Sequence, residues 1–158
     1  MISNKLSFQK QVDDWTKKSD ARLQAVFQES TQDLIDIAQK PKAKGGNMPV
    51  LDGFLRNSGV AALNSVPTGP SRAPKGYRDT DWDASASAIV IASANIGDRV
   101  VFGWTAEYAR RMEYGFSGKD SLGRTYNQKG NGFMRLAAQK WQFIVKNAAT
   151  RVRKTVAK

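Results

Sequence analysis

The stretch that decides the architecture is SFQKQVDDWTKKSDARLQAVFQESTQDLIDIAQK, residues 7–40. Up to Gln39 it contains neither glycine nor proline. Phe8, Val12, Trp15, Leu23, Val26, Phe27, Leu34 and Ile37 recur at steps of three, four or their sums, which places them on one face of a helix. Ser7 supplies an N-cap, a hydroxyl able to accept from a free first-turn N–H. Lys40-Pro41-Lys42-Ala43-Lys44-Gly45-Gly46 then ends the helix, because proline cannot continue it and the glycines favour a turn. About thirty residues at about 1.5 Å each give a rod of roughly 45 Å. That is too long for a body of the remaining size to cover fully. Two readings of its apolar stripe stand: burial against its own chain, or burial in part by a neighbouring subunit. The boundary divides the chain into an interaction arm, residues 1–40, and a domain, residues 41–158.

Beyond the boundary the patterning shortens. Residues 48–58 read as a turn entering an extended run, and Gly59 to Val66 as a strand of small apolar residues. Pro67 to Asp81, with Pro67, Pro70 and Pro74, reads as a surface loop. Ala84 to Ser93 alternates small polar and apolar residues. It reads as a strand, turning at residues 95–98 into a second strand, Arg99 to Trp104, so that 84–104 forms a hairpin. Glu107 to Tyr114 reads as a short helix with Tyr108, Ala109 and Met112 inward, stopped by Gly115. Phe116 to Asn131 reads as a glycine-rich basic loop.

From Gly132 a second long helix runs to near the end. Phe133, Ala137, Trp141, Ile144, Val145, Ala148 and Val152 form its apolar face. Arg135, Gln139, Gln142, Lys146, Thr150 and Arg153 lie opposite, widened by Lys140, Arg151 and Lys154. Trp15 and Trp141 fall on apolar helix faces and are expected in the core. Trp82 falls in the loop, either folded back on the sheet or anchoring a partner. The expected class is α+β: a long N-terminal helix, a small antiparallel sheet, a short helix and a long C-terminal helix.

Composition narrows the chemistry. The chain has 158 residues, no cysteine and no histidine. Disulfides, thiolate chemistry and Cys/His zinc sites are excluded, and the commonest general base is missing. No phosphate-loop, dinucleotide-binding, nucleophile-elbow or kinase pattern occurs. Asp79, Asp81 and Asp83 stand two apart, but the glycine and the distant glutamate of a calcium loop are lacking, so they read as a solvated loop edge. Glu107 and Glu113, beside Arg110 and Arg111, read as local ion pairing. The expectation is a protein that is not an enzyme and has no cofactor or metal. No apolar run is long enough to span a membrane, and because Met1 to Lys5 lead straight into a polar helical pattern, no secretory leader is expected.

The net charge of +11 is unevenly placed. Residues 1–40 hold six basic and six acidic groups, so all of the excess lies beyond them. From Lys119 onward, ten Lys and Arg stand against Asp120 alone. Two readings again stand: plain solubility, or a polyanionic neighbour met by Arg135, Lys146, Arg153 and Lys154 on the C-terminal helix. No helix-turn-helix or zinc-finger pattern accompanies these residues, so base readout is not indicated.

Four segments, in order, carry a resemblance. Pro49-Val50-Leu51-Asp52-Gly53-Phe54-Leu55-Arg56-Asn57-Ser58 resembles the Pro-Val-Asp-Thr-Gly-x-Leu-Arg-x-Ser segment of a tailed-bacteriophage family. Its members are described as minor tail components, tail-completion proteins or neck proteins. Val101 to Ala109 is similar to that family's strand, glycine and Tyr-Ala. Arg111-Met112-Glu113-Tyr114-Gly115 is similar to its Val-Glu-Phe-Gly. Gly132-Phe133-Met134-Arg135-Leu136-Ala137 is similar to its Pro-Phe-Leu-Arg-Pro-Ala, with Gly132 and Leu136 where the family has proline.

The resemblance implies a non-enzymatic virion protein at the head–tail junction, assembled in the host cytoplasm. It implies a hexameric or dodecameric ring of copies of the chain. It also implies contacts with portal or adaptor proteins and with tail-terminator or tail-tube proteins, with genomic DNA in the channel. It singles out Pro49, Gly53, Leu55, Arg56, Tyr108, Glu113, Gly115 and Phe133 as motif residues. Their expected part is architectural, with Gly53 and Gly115 opening turns and Arg56 pairing with Glu113 or Asp52.

Overall fold

The computed structural model describes residues 7–156. Its first element, α1 (Phe8–Gln39), is the expected long helix, with the Ser7 hydroxyl accepting from the Lys10 N–H. After a 3-10 turn at Lys42–Lys44 come α2 (Phe54–Asn57) and β1 (Gly59–Leu63). These are followed by α3 (Ser85–Ser93), β2 (Val100–Trp104) and α4 (Ala109–Tyr114). Then come β3 (Gly115–Lys119), β4 (Thr125–Lys129), α5 (Phe133–Ala138) and α6 (Trp141–Val156). The class is α+β: half the chain is helical and 15% is strand, with two small antiparallel sheets that fall between the long N-terminal helix and the C-terminal helix in chain order. Among the described residues, no helix is long and apolar enough to cross a membrane.

Residues 84–93 are helical, where their alternation predicts a strand. Alanine and serine alternate with little contrast in hydrophobicity, so the alternation carries little directional force. Capping decides instead. The Asp83 carboxylate accepts from the Ser85 N–H and hydroxyl at the start of α3. At its end, Gln24 and Gln28 of α1 donate to the Ala92 and Ala94 carbonyls, which a helix terminus leaves unpaired. Ser87 and Ile91 of α3 and the adjoining Ala94 are buried, with α3 packed on β1 and α1. The partner of β2 is therefore β1, in register from Gly59 opposite Trp104 to Leu63 opposite Val100.

Residues 116–131, expected as a loop, contain most of a hairpin. β3 and β4 pair antiparallel, Gly115 opposite Lys129 through Lys119 opposite Thr125. Most of their side chains face water, so the hydrophobic alternation that marks a strand is missing. The turn is organised by Asp120, whose carboxylate accepts from the Leu122 and Arg124 N–H groups, both at 2.9 Å. The predicted C-terminal helix is also two helices. The chain turns tightly at Gln139 and Lys140, with Lys140 N–H bonded to the Ala137 carbonyl, before α6 begins.

Two apolar layers hold these elements together. In one, Met48, Phe54, Leu55, Ala106 and Phe133 are buried, ringed by Val50, Tyr77, Trp104, Tyr108, Ala109, Met112 and Met134. Its aromatic rings meet edge to face, Trp104 with Phe133 at 4.8 Å and Phe54 with Tyr77 at 5.5 Å, the arrangement ring quadrupoles favour. In the other, Ile144, Ala148 and Val152 of α6 are buried where α6 runs along α1. Arg151 pairs there with Glu29 at 2.8 Å and Asp33 at 2.6 Å.

The two tryptophans expected in the core are outside it. Trp15 is 69% and Trp141 40% exposed. Trp15 lies on the part of α1 that has no body beneath it, and Trp141 opens α6 just past the turn. Trp82 is half-buried, 5.8 Å beneath the Arg56 guanidinium.

Candidate functional site

The four sequence segments that are far apart in the chain converge around the first core. Pro49, Gly53, Leu55 and Tyr108, with Val50, Leu51, Asp52 and Met112, line one groove of about 340 Å³. Gly53 is at φ +86°, and a Cβ there would lie 1.7 Å from the Asp79 carbonyl oxygen, so only glycine closes this turn. Asp52 accepts from the Phe54 N–H at 3.0 Å and so organises the entry to α2. Burial pushes the Tyr108 hydroxyl pKa above its ordinary value, the nearby Asp52 charge adds to this, and a hydrogen bond with the Leu55 backbone opposes it. The groove is walled by apolar side chains with one carboxylate and one phenol, a surface suited to receiving an apolar side chain.

Arg56 does not pair with Glu113 or Asp52. Its Nε donates to the Gln39 carbonyl and its Nη1 to the Thr80 carbonyl, both at 3.0 Å. Gln39 returns the contact, its Nε2 donating to the Arg56 carbonyl at 3.0 Å, and its Oε1 accepts from Trp104 Nε1. This reciprocal latch satisfies a fully buried glutamine and fixes the end of α1 to the motif core.

Glu113 has a different structural task. It is 6% exposed, and its two carboxylate oxygens accept from the Arg135 N–H at 2.9 Å and the Met134 N–H at 3.1 Å. Its own carbonyl accepts from Gly132 N–H. One residue of α4 thus caps α5 and sets Phe133 into the core. Gly115, at φ +88°, follows directly, and a Cβ there would come within 2.5 Å of the Gln128 carbonyl oxygen where β3 and β4 begin.

The basic residues do not form one face. Lys146, Arg153 and Lys154 are exposed on α6, but Arg135 belongs to α5, across the turn, where its guanidinium lies 6.0 Å from the Tyr114 ring. Arg151 is taken up by Glu29 and Asp33. Arg110 and Arg111 do not make the local ion pairs expected with Glu107 and Glu113, which bond Arg72 and the α5 N–H groups instead, and sequence reading missed Arg124. The three arginines stand beside the aromatic rings of a hairpin that has no hydrophobic alternation, and the only early signal was the recurrence of Arg and Tyr between residues 108 and 126. Asp79, Asp81 and Asp83 line a separate cavity with Tyr77 and Trp82, and among the described residues no group of three or more metal-ligating side chains is assembled.

An uncovered apolar row lies on α1. Inter-element packing starts near Asp20 and Gln24, which meet Asn95 and Ile96. Phe8 is 81% exposed, and Val12, Trp15 and Leu23 follow on the same face, all exposed.

No protein-family model matches the chain, and no curated protein or solved structure matches it either.

Proposed function

We propose that this chain is a structural subunit of a tailed phage, part of the ring that joins the tail to the DNA-filled head. The observation that carries the reading is the uncovered stripe of Phe8, Val12, Trp15 and Leu23 on a helix whose base is latched into the motif core. Apolar burial favours association by about 25 cal/mol per Å². A rigid, exposed row of large apolar side chains is therefore the mark of a subunit completed by its neighbours. The resemblance of residues 49–58, 101–109, 111–115 and 132–137 to phage tail-completion and neck proteins indicates which assembly. A cyclic ring needs two different patches per subunit, and the stripe and the groove lined by Pro49, Leu55 and Tyr108 are two such patches. In this reading the ring contacts portal or adaptor proteins on one side and tail-terminator or tail-tube proteins on the other, with DNA in the channel.

The test is electron microscopy of lysates from a phage lacking this gene, complemented with the wild type or with Phe8→Ser plus Trp15→Ser. DNA-filled heads with separate tails are expected for the deletion and for the double variant, whose purified form keeps the wild-type melting temperature because neither ring is buried. Normal infectious particles from the deletion would overturn the reading. A second reading, a nucleic-acid-binding protein that uses α6, is favoured by Lys146, Arg153 and Lys154, which have no carboxylate partner among the described residues.

A further inference from the structure

We propose that the aromatic face of the β3–β4 hairpin, with the adjoining arginines of α4 and α5, binds the phosphate backbone of nucleic acid. The pairing of Phe116 with Gln128 and of Gly118 with Tyr126 puts both rings on one side of the hairpin. Their centroids are 6.2 Å apart. The Arg111 guanidinium lies 4.5 Å over Phe116 and that of Arg124 5.9 Å from Tyr126. Arg111, Phe116, Tyr126 and Arg124 therefore form one unbroken row. Arg110 and Tyr114 border it, lining an open depression with Arg111 and Phe116, and the Arg135 guanidinium of α5 lies 6.0 Å from the Tyr114 ring.

Two features turn this row into a binding surface. The first is uncancelled charge. Beyond Trp104 the only acids are Glu107, Glu113 and Asp120. Glu107 is paired with Arg72, Glu113 is buried on the α5 N–H groups, and Asp120 holds its own turn and Arg124. Arg110, Arg111 and Arg135 are left with no carboxylate partner among the described residues. The second is preorganisation. A guanidinium resting on a ring is held flat while its N–H groups stay free, and its fork matches a phosphate. The exposed lysines of α6 are long, unstacked point charges. Regularly spaced phosphates answer both features, and exposed Tyr114 and Tyr126 offer rings on which a base can stack. This inference goes beyond the junction reading: it names a different surface, and its failure leaves that reading standing.

The experiment is fluorescence anisotropy of the full chain with a labelled duplex and the matching single strand across a salt series. It compares two variants that remove three charges each, Arg110→Gln/Arg111→Gln/Arg135→Gln and Lys146→Gln/Arg153→Gln/Lys154→Gln. The first should lose roughly tenfold or more in affinity, and its salt slope on duplex should fall by up to about 0.9 for each lost phosphate contact. The second should lose far less. Tighter binding to duplex identifies backbone tracking, and tighter binding to single strand identifies base stacking. Equal losses in the two variants, at matched melting temperature, would overturn the proposal in favour of net charge. So would an absence of wild-type binding, or competition by polyglutamate equal to that of DNA. Arg110→Lys/Arg111→Lys/Arg135→Lys, which keeps all three charges, should recover only part of the affinity; full recovery would remove the stacked guanidinium from the account.

Discussion

Replacing Glu113 with alanine should be among the most damaging single changes to the motif core. The carboxylate accepts two backbone N–H bonds at the start of α5, and among the described residues no other side chain caps that helix. Hydrogen bonds to a charged group contribute about 1.5–3 kcal/mol each, and a buried donor left unpaired costs a similar amount. At 6% exposure, water reaches the vacated site only in part, so a loss of about 3 kcal/mol is expected for Glu113→Ala. For a chain of this size that corresponds to a fall in melting temperature of roughly 6–12 °C. Glu113→Gln keeps one acceptor oxygen but sets its amide NH2 against the second N–H, donor facing donor, so it should recover no more than about half of that loss. The assay is urea unfolding of the three proteins at one salt concentration, read by tryptophan fluorescence. A Glu113→Ala protein within about 1 kcal/mol of wild type, with an unchanged denaturant slope, would refute the capping argument.

Two smaller effects should accompany it. Arg151→Ala breaks both ion pairs to Glu29 and Asp33, but all three side chains are substantially exposed, so the loss should stay near or below about 1 kcal/mol and shrink with added salt; a salt-independent loss several times larger in urea unfolding would contradict this. The Asn64 side-chain N–H, then the Asn95 backbone N–H, holds the Asp98 carboxyl below its ordinary pKa. Because the folded value is the lower one, the stabilisation is present above the ordinary carboxylate range and is lost as pH falls through the folded value. Asn64→Ala should raise the Asp98 midpoint in an NMR titration, and an unmoved midpoint would sink the assignment.

What could be read in advance follows from where each element gets its determinants. α1 is legible because its signals are local: Ser7, steps of three and four, then Pro41. The α6 face of Ile144, Ala148 and Val152 is legible for the same reason. α3 was misread because its carbonyl caps come from Gln24 and Gln28, far away in the chain. The β3–β4 hairpin was missed because it is stabilised by an Asp120 turn and Arg–ring stacking, not by an apolar face. The motif segments could be seen one by one, but their common groove could not. Nor could the transfer of Arg56 from an expected carboxylate to the Gln39 carbonyl, since a buried glutamine at a helix end leaves no periodic trace. Trp15 illustrates the limit of periodicity, which places a residue on a face without saying whether anything lies opposite.

The uncovered part of α1 needs its own account, because an isolated helix of that length is marginal in water. It is not isolated. The costly step, nucleation, is met by the packed half, where Ile35, Ala38 and Gln39 are buried and Arg151 grips Glu29 and Asp33. Residues 8–23 then only propagate an existing helix, and their sequence favours that: Asp13 and Asp14 stand four residues before Lys17 and Lys18, the stabilising order. Gln9 also donates to Asp13 at 3.1 Å. The stripe is thus presented on a rod whose far end is locked to Arg56 and Trp104 through Gln39. In the proposed assembly, a partner docking on Phe8 and Trp15 would meet a surface already ordered, so less of the binding energy would go to fixing the chain. In the proposed ring, an arm that folded only on docking would incur that ordering cost at every subunit. The continuous helix, without glycine or proline from Phe8 to Gln39, would avoid it, because a single rigid element joins the exposed end to the motif core.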